Sequence, residues 1–121
     1  FDEASGHRAG RELLAAPERP DAVFAANDMM ALGCMFAFAQ AGVRVPGEIA
    51  LAGFDDIPLA RYVHPALTTI RVNIAELGAQ AARLLIAQVA GEVGGDSSSS
   101  SGDVLATQLI VRESSGSIPS P

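Results

Sequence analysis

Five apolar residues, Ala22-Val23-Phe24-Ala25-Ala26, end abruptly at Asn27-Asp28, and an apolar helical pattern follows at once. Pro20 bounds the run on its other side. Such a run fits a central parallel strand, whose two covered faces remove the need for alternation. Asn27 and Asp28 then sit where a strand hands over to a helix. Their side-chain oxygens suit the unpaired amides and positive end of the helix that follows. The design recurs in Glu48-Ile49-Ala50-Leu51-Ala52-Gly53-Phe54, which stops at Asp55-Asp56. Between the two runs, Met29 to Gln40 has helix length, with Gly42 as its stop and Pro46 just beyond. Strand, helix, strand predicts a right-handed crossover with parallel strands. Open parallel sheets bind ligands outside the carboxyl ends of their strands, so Asn27 and Asp55 are expected to be neighbours at a binding site. The alternative is that all four polar residues serve only as caps and turns.

At 121 residues the chain suits one modest domain, and Phe1 in place of Met is what a processed piece of a longer protein would show. A net charge of −6 argues against a grip on nucleic-acid phosphates by this segment. Cys34, the one cysteine, reads as a small buried hydrophobe compatible with a reducing compartment. No run approaches the roughly 18 apolar residues of a membrane helix, so no membrane partner is expected. No nucleophile elbow, phosphate-cradling loop or metal-spaced cluster of Cys and His occurs, so neither enzyme activity, cofactor nor metal is expected. Asp55-Asp56 as an acid and base pair is disfavoured, because adjacent residues at a strand end point apart.

Asp2 to Ala16 reads as a surface helix capped by Asp2, packed on the sheet beside Val23 through Leu13 and Leu14, and weakened by Gly6 and Gly10. His7 on it reads as a solvated side chain. The Met29 to Gln40 helix is apolar around its whole circumference and so must be covered all round. Either it is the central helix of a larger domain, or one face is for self-association, with Gly33 allowing a close partner backbone. Asp56 is expected to cap a short helix opened by Pro58. Leu67 to Val72 reads as extended, and Asn73-Ile74-Ala75-Glu76 as a capping box before a helix that stops near Gly91. Gly94 to Gly102, with Ser97 through Ser101, reads as a flexible linker or long loop. Val104 to Glu113 reads as a strand and Ser114 to Pro121 as a disordered tail.

The stretches Val23 to Gly33, Gly42-Val43-Arg44-Val45-Pro46, Gly53-Phe54-Asp55-Asp56, Pro65-Ala66-Leu67-Thr68-Thr69 and Ile110-Val111-Arg112-Glu113-Ser114 together resemble, in order and spacing, the lactose-repressor and galactose-repressor-like (LacI/GalR) transcription regulators. The resemblance runs almost end to end. It implies the C-terminal part of an effector-binding region with the fold of periplasmic sugar-binding proteins: α/β, a parallel three-layer sandwich, here an incomplete lobe. Residues 1–72 would belong to the C-terminal subdomain and 73–93 to a helix of the N-terminal lobe. Residues 94–103 would be the linker, 104–113 a returning strand and 114–121 the tail. Asn27 and Asp55 would contact a small-molecule effector, a sugar in the first instance. Met29, Met30, Gly33, Phe36, Arg61, Tyr62 and His64 would lie at a homodimer face. The family's DNA-reading helix-turn-helix would lie upstream, and the location would be cytoplasmic. The chain departs from the family at Val72, where a glutamine is usual, and in its longer serine-rich stretch. A lone lobe is also expected to associate, as a domain-swapped oligomer that covers the 73–93 helix. The competing reading is a periplasmic sugar-binding protein of a transport system.

Overall fold

A computed structural model describes residues 1–91 and 104–116 of the chain. The described residues form two compact units, Phe1–Arg71 with the segment from Gln108 onward, and Val72–Thr107. The expected linker at 94–103, and residues 117–121 of the expected tail, lie outside the described residues.

In the first unit, helix α1 (Glu3–Ala15) begins with a capping box: Asp2 Oδ1 accepts from the Ser5 amide at 2.8 Å, and Ser5 Oγ accepts from the Asp2 amide at 3.1 Å. Strand β1 (Ala22–Phe24) leads into helix α2 (Asp28–Gln40), which ends at Ala41 with Gly42 beyond it at φ 71°, the left-handed conformation glycine tolerates best. Strand β2 (Ala50–Asp55), a 3-10 turn (Pro58–Arg61), strand β3 (Thr68–Arg71), strand β4 (Gln108–Ile110) and a second 3-10 turn (Glu113–Ser115) complete the unit. The sheet order is β1-β2-β3-β4, parallel except for the antiparallel β4.

One face of this sheet carries the core. Phe38 of α2 packs with Ile49, Leu51 and Leu67, all at most 2 % exposed, and Val23 and Leu14 border them. Burying side chains of this size contributes about 1.5 to 3 kcal/mol each. α1 lies on α2 and not chiefly on the sheet, which corrects the expected contact beside Val23. The reason is steric. A Cβ on Gly6 would collide with the Met30 backbone, one on Gly33 with Glu3 and His7, and one on Gly10 would press on Cys34 and Ala37. Helix backbones approach that closely only where neither carries a side chain. The glycines read as weak points are therefore the packing seam, and the second cover that α2 requires comes in part from α1.

β1 is an edge strand of three residues, with Ala22 and Phe24 exposed, so the expected central strand covered on both faces is not found. Within the first unit α2 covers one sheet face, and Phe24 at 62 % and Leu109 at 61 % exposure lie on the other. The expected strand over 104–113 shrinks to Gln108–Ile110, the residues that meet Thr69 to Arg71. Ser114, placed in a disordered tail by sequence, is fully buried: its Oγ donates to the Leu51 carbonyl at 2.6 Å and accepts from the Thr68 amide at 2.8 Å.

The second unit holds helix α3 (Ile74–Val89). Asn73 Oδ1 accepts from the Glu76 amide at 3.2 Å, but Glu76 turns away to Gln80 and Arg83, so only half of the expected box forms. α3 has no buried residue, and Ile74, Leu84, Leu85 and Val89 are all more than half exposed.

Candidate functional site

The register places the polar strand ends side by side. Phe24 pairs with Ala52, so Asn27 and Asp55 each stand three residues beyond one cross-strand pair. Asp55 is opposite Arg71, and Arg71 is opposite Gln108. Asp55, Arg71 and Gln108 thus form one row across the sheet, and Asn27 follows the carboxyl end of β1, the strand beside β2.

At these strand ends the side chains divide the work. Asn27 is the N-cap of α2: its Oδ1 accepts from the Met30 amide at 2.8 Å, and its Nδ2 donates to the Phe1 carbonyl at 3.1 Å. One amide hydrogen and one lone pair stay open to a ligand. Asp55 is exposed and carries φ 112°, and Asp56 follows at φ 54°. Two consecutive non-glycine residues at positive φ are uncommon and costly, and such strain collects at binding sites. The double turn separates the two carboxylates: Asp55 faces solvent, while the Asp56 side chain is 2 % exposed.

Asp56 does not cap the Pro58–Arg61 turn, whose N-cap residue Ile57 has no side-chain capping bond. It binds two arginines instead. Arg71 Nε donates to its Oδ2 at 2.7 Å and Arg112 Nη2 to its Oδ1 at 2.6 Å, while Arg112 Nη1 donates to the Leu67 carbonyl at 2.7 Å. Burial pushes the Asp56 carboxyl up, but the hydrogen bonds and charges of Arg112 and Arg71 outweigh it and hold the group below the ordinary aspartate value.

Asp28 holds the residue that opens that turn. Fully buried, it accepts from Thr69 Oγ1 at 2.6 Å and from the Ile57 amide at 2.9 Å, and Gly53 leaves the space its carboxylate occupies over β2. Burial raises its carboxyl above the ordinary value, against the pull of those two hydrogen bonds, and the charges of Asp55 and Asp56 add to the rise. The Asp56 amide donates to the same Thr69 hydroxyl at 3.3 Å, so Asp28 and Asp56 brace both sides of the Asp55 turn.

Sequence reasoning missed Thr69, Arg71, Arg112 and the inward turn of Asp28. A signal was present: three aspartates gather at strand ends, and carboxylates that crowded require cations, which Arg71 supplies from the end of β3 and Arg112 from the segment after β4. Among the described residues no His, Cys, Asp and Glu group could hold a metal ion. An open groove of about 400 Å³ lies between α1 and α2, not at the strand ends, and is lined by Glu3, Ala4, His7, Leu32, Gly33 and Phe36. His7 is engaged there: its Nε2 is 2.7 Å from Gln40 Oε1 and its ring is 5.5 Å from that of Phe36. Of the residues expected at a dimer face, Phe36, Arg61, Tyr62 and His64 are exposed and Met29 and Met30 half-buried, whereas Gly33 lies beneath α1.

A periplasmic binding protein-like domain profile matches residues 2–115. The HTH-type transcriptional repressor PurR of Escherichia coli is 42 % identical over 89 residues, 74 % of this chain and 26 % of that protein. The chain therefore spans about a quarter of the length of the curated relatives it matches. Among solved structures, the transcriptional regulator CelR–cellobiose complex superposes with TM-score 0.80 at 36 % identity, over 94 % of this chain and 34 % of that one. A LacI family regulator from Arthrobacter sp. FB24 in complex with lactose gives 0.77 at 34 % identity, over 94 % and 41 %. The lac repressor dimer bound to operator and the anti-inducer ONPF gives 0.80 at 28 % identity, over 94 % and 38 %. With its strand-end row and its parallel crossover, the chain belongs to the periplasmic binding protein-like domain family, as a LacI/GalR-like effector-binding region.

Proposed function

We propose that this chain is the effector-sensing and dimerising part of a cytoplasmic, DNA-binding transcription regulator, and that its effector is a sugar held at the carboxyl ends of β1 and β2. The observation that carries the reading is Asp55, an exposed carboxylate on a strained turn braced from both sides. A carboxylate accepts from sugar hydroxyls with charge-assisted hydrogen bonds worth about 1.5 to 3 kcal/mol each. Asn27, with its remaining donor and acceptor, follows the adjacent strand and is proposed as the second contact. Regulators over transport proteins is the reading favoured by relatives that are repressors and by neighbours solved with cellobiose and lactose. DNA contact belongs to a helix-turn-helix outside these residues, consistent with the net charge of −6. Residues 73–93 are proposed to serve the N-terminal lobe, and no catalytic step is assigned.

The test is calorimetric titration of the intact protein that carries this chain with cellobiose, lactose, sucrose and ribose. At least one should bind, and Asp55→Ala should weaken that binding tenfold or more. Undiminished affinity in Asp55→Ala would remove Asp55 from the site.

A further inference from the structure

Arg71 ends β3 directly opposite Asp55, its side chain is 47 % exposed, and Nε is its one nitrogen with a hydrogen-bond partner among the described residues. Among the described residues its two terminal nitrogens have no hydrogen-bond partner. Asp56 fixes the guanidinium without consuming that end, and Asp56 is itself held by Arg112, which is tied to the Leu67 carbonyl. An exposed arginine would sample many rotamers; this one is anchored by a carboxylate that is 2 % exposed. An anchored fork with an open edge presents donors of fixed direction, and fixed direction reduces the ordering cost of binding.

Charge decides what such an edge can take. Three carboxyl groups, Asp28, Asp55 and Asp56, stand at the strand ends against two guanidiniums, Arg71 and Arg112, so the strand ends have no surplus positive charge for an anionic ligand. They offer an acceptor pole at Asp55 and a donor pole at Arg71, on adjacent strands. A neutral molecule with adjacent hydroxyl groups matches both poles, because one hydroxyl donates to the carboxylate while an oxygen beside it accepts from the guanidinium.

We infer that Arg71 is a specificity-determining residue of the effector site, that it reads the ligand oxygen next to the hydroxyl bound by Asp55, and that Asp56 and Arg112 are its positioning residues. The inference rests on the effector-site reading above. It departs from any reading in which Arg71 only closes an ion pair.

The experiment uses the intact protein and the tightest binder among cellobiose, lactose, sucrose and ribose, together with the monodeoxy forms of that sugar. Arg71→Met should weaken the parent sugar tenfold or more, and Arg71→Lys several-fold, because an ammonium cannot hold Asp56 and keep a directed edge free. Removal of the hydroxyl that Arg71 reads should cost the wild-type protein about tenfold and cost Arg71→Met nothing. A purely structural role would not produce that non-additivity. Unchanged affinity in both Arg71 variants, with Asp55→Ala still impaired, overturns the inference and leaves the effector site standing. Equal deoxy penalties in wild type and Arg71→Met overturn it likewise. Failure of the wild-type protein to bind all four sugars overturns the neutral-sugar reading and this inference together.

Discussion

Asp56 shows how one carboxylate organises several residues. Removal of its charge in Asp56→Asn strands Arg112, which is 13 % exposed, and should cost about 1 to 3 kcal/mol at neutral pH. The cost should depend on pH in a definite direction. The folded-state value of Asp56 lies below the ordinary 3.8, so the unfolded chain takes up the proton first as pH falls. Its contribution is therefore complete above pH 3.8 and disappears as pH drops through the folded value. Asp28 runs the other way. Its raised folded-state value makes its contribution most favourable below 3.8 and smaller as pH rises through the folded value. Urea midpoints of the wild-type protein and Asp56→Asn, measured from neutral to strongly acidic pH, should differ at pH 7 and converge in acid. A gap that stays constant with pH would mean that the ion pairs contribute nothing. Asp28 was legible only as a polar residue at a helix start. Its burial depends on Gly53 and Thr69, residues distant in sequence whose placement no local pattern encodes.

For the elements, the α1–α2 seam is the feature most open to direct challenge. Helix propensity alone says that Gly33→Ala and Gly6→Ala stabilise by about 1 kcal/mol each. Packing says the reverse, since each new methyl group would meet backbone atoms of the facing helix that cannot move aside. Overpacking of that kind costs about 1 to 3 kcal/mol. Both variants should therefore unfold at lower denaturant, whereas Gly78→Ala in α3, with nothing within 4 Å of its Cβ, should gain up to about 1 kcal/mol. Gain in all three would show that α1 does not lie against α2 as described. The same seam revises the case for self-association. The apolar circumference of α2 is met by the sheet on one side and by α1 on another, which leaves Phe36, 59 % exposed, as its large uncovered aromatic. Phe38 is fully buried and belongs to the core.

On the scale of the whole molecule, the exposed apolar side chains among the described residues include two sets considered for partners: Phe36, Leu59 and Tyr62 in the first unit, and Ile74, Leu77, Leu84, Leu85 and Val89 along α3. The first is proposed as the homodimer face, and its burial would supply about 25 cal/mol per Å² of apolar area before the costs of association. Phe36→Arg in the intact protein should shift sedimentation from dimer toward monomer, because a charge would be buried without a partner. A dimer that sediments unchanged would move the interface elsewhere. The second surface is the proposed association site of the isolated chain, where exchange of segments between copies remains the proposed arrangement.

The sequence by itself determined the crossover unit, the turn at Gly42, the cap at Asn27 and the place of Asn27 and Asp55 at the carboxyl ends of adjacent parallel strands. Each follows from local periodicity, from cap and turn chemistry, or from the fixed handedness of parallel connections. Tertiary structure alone decided that β1 is an edge strand, that Gly6 and Gly33 form a seam, and that Asp56 joins Arg71 to an Arg112 that lies 56 residues from Asp56 in sequence. The physical reason is common to all three. A side chain's partner is chosen by which surfaces the folded chain brings within a few ångströms, and a single sequence records the chemistry of each group but not the distance between two of them.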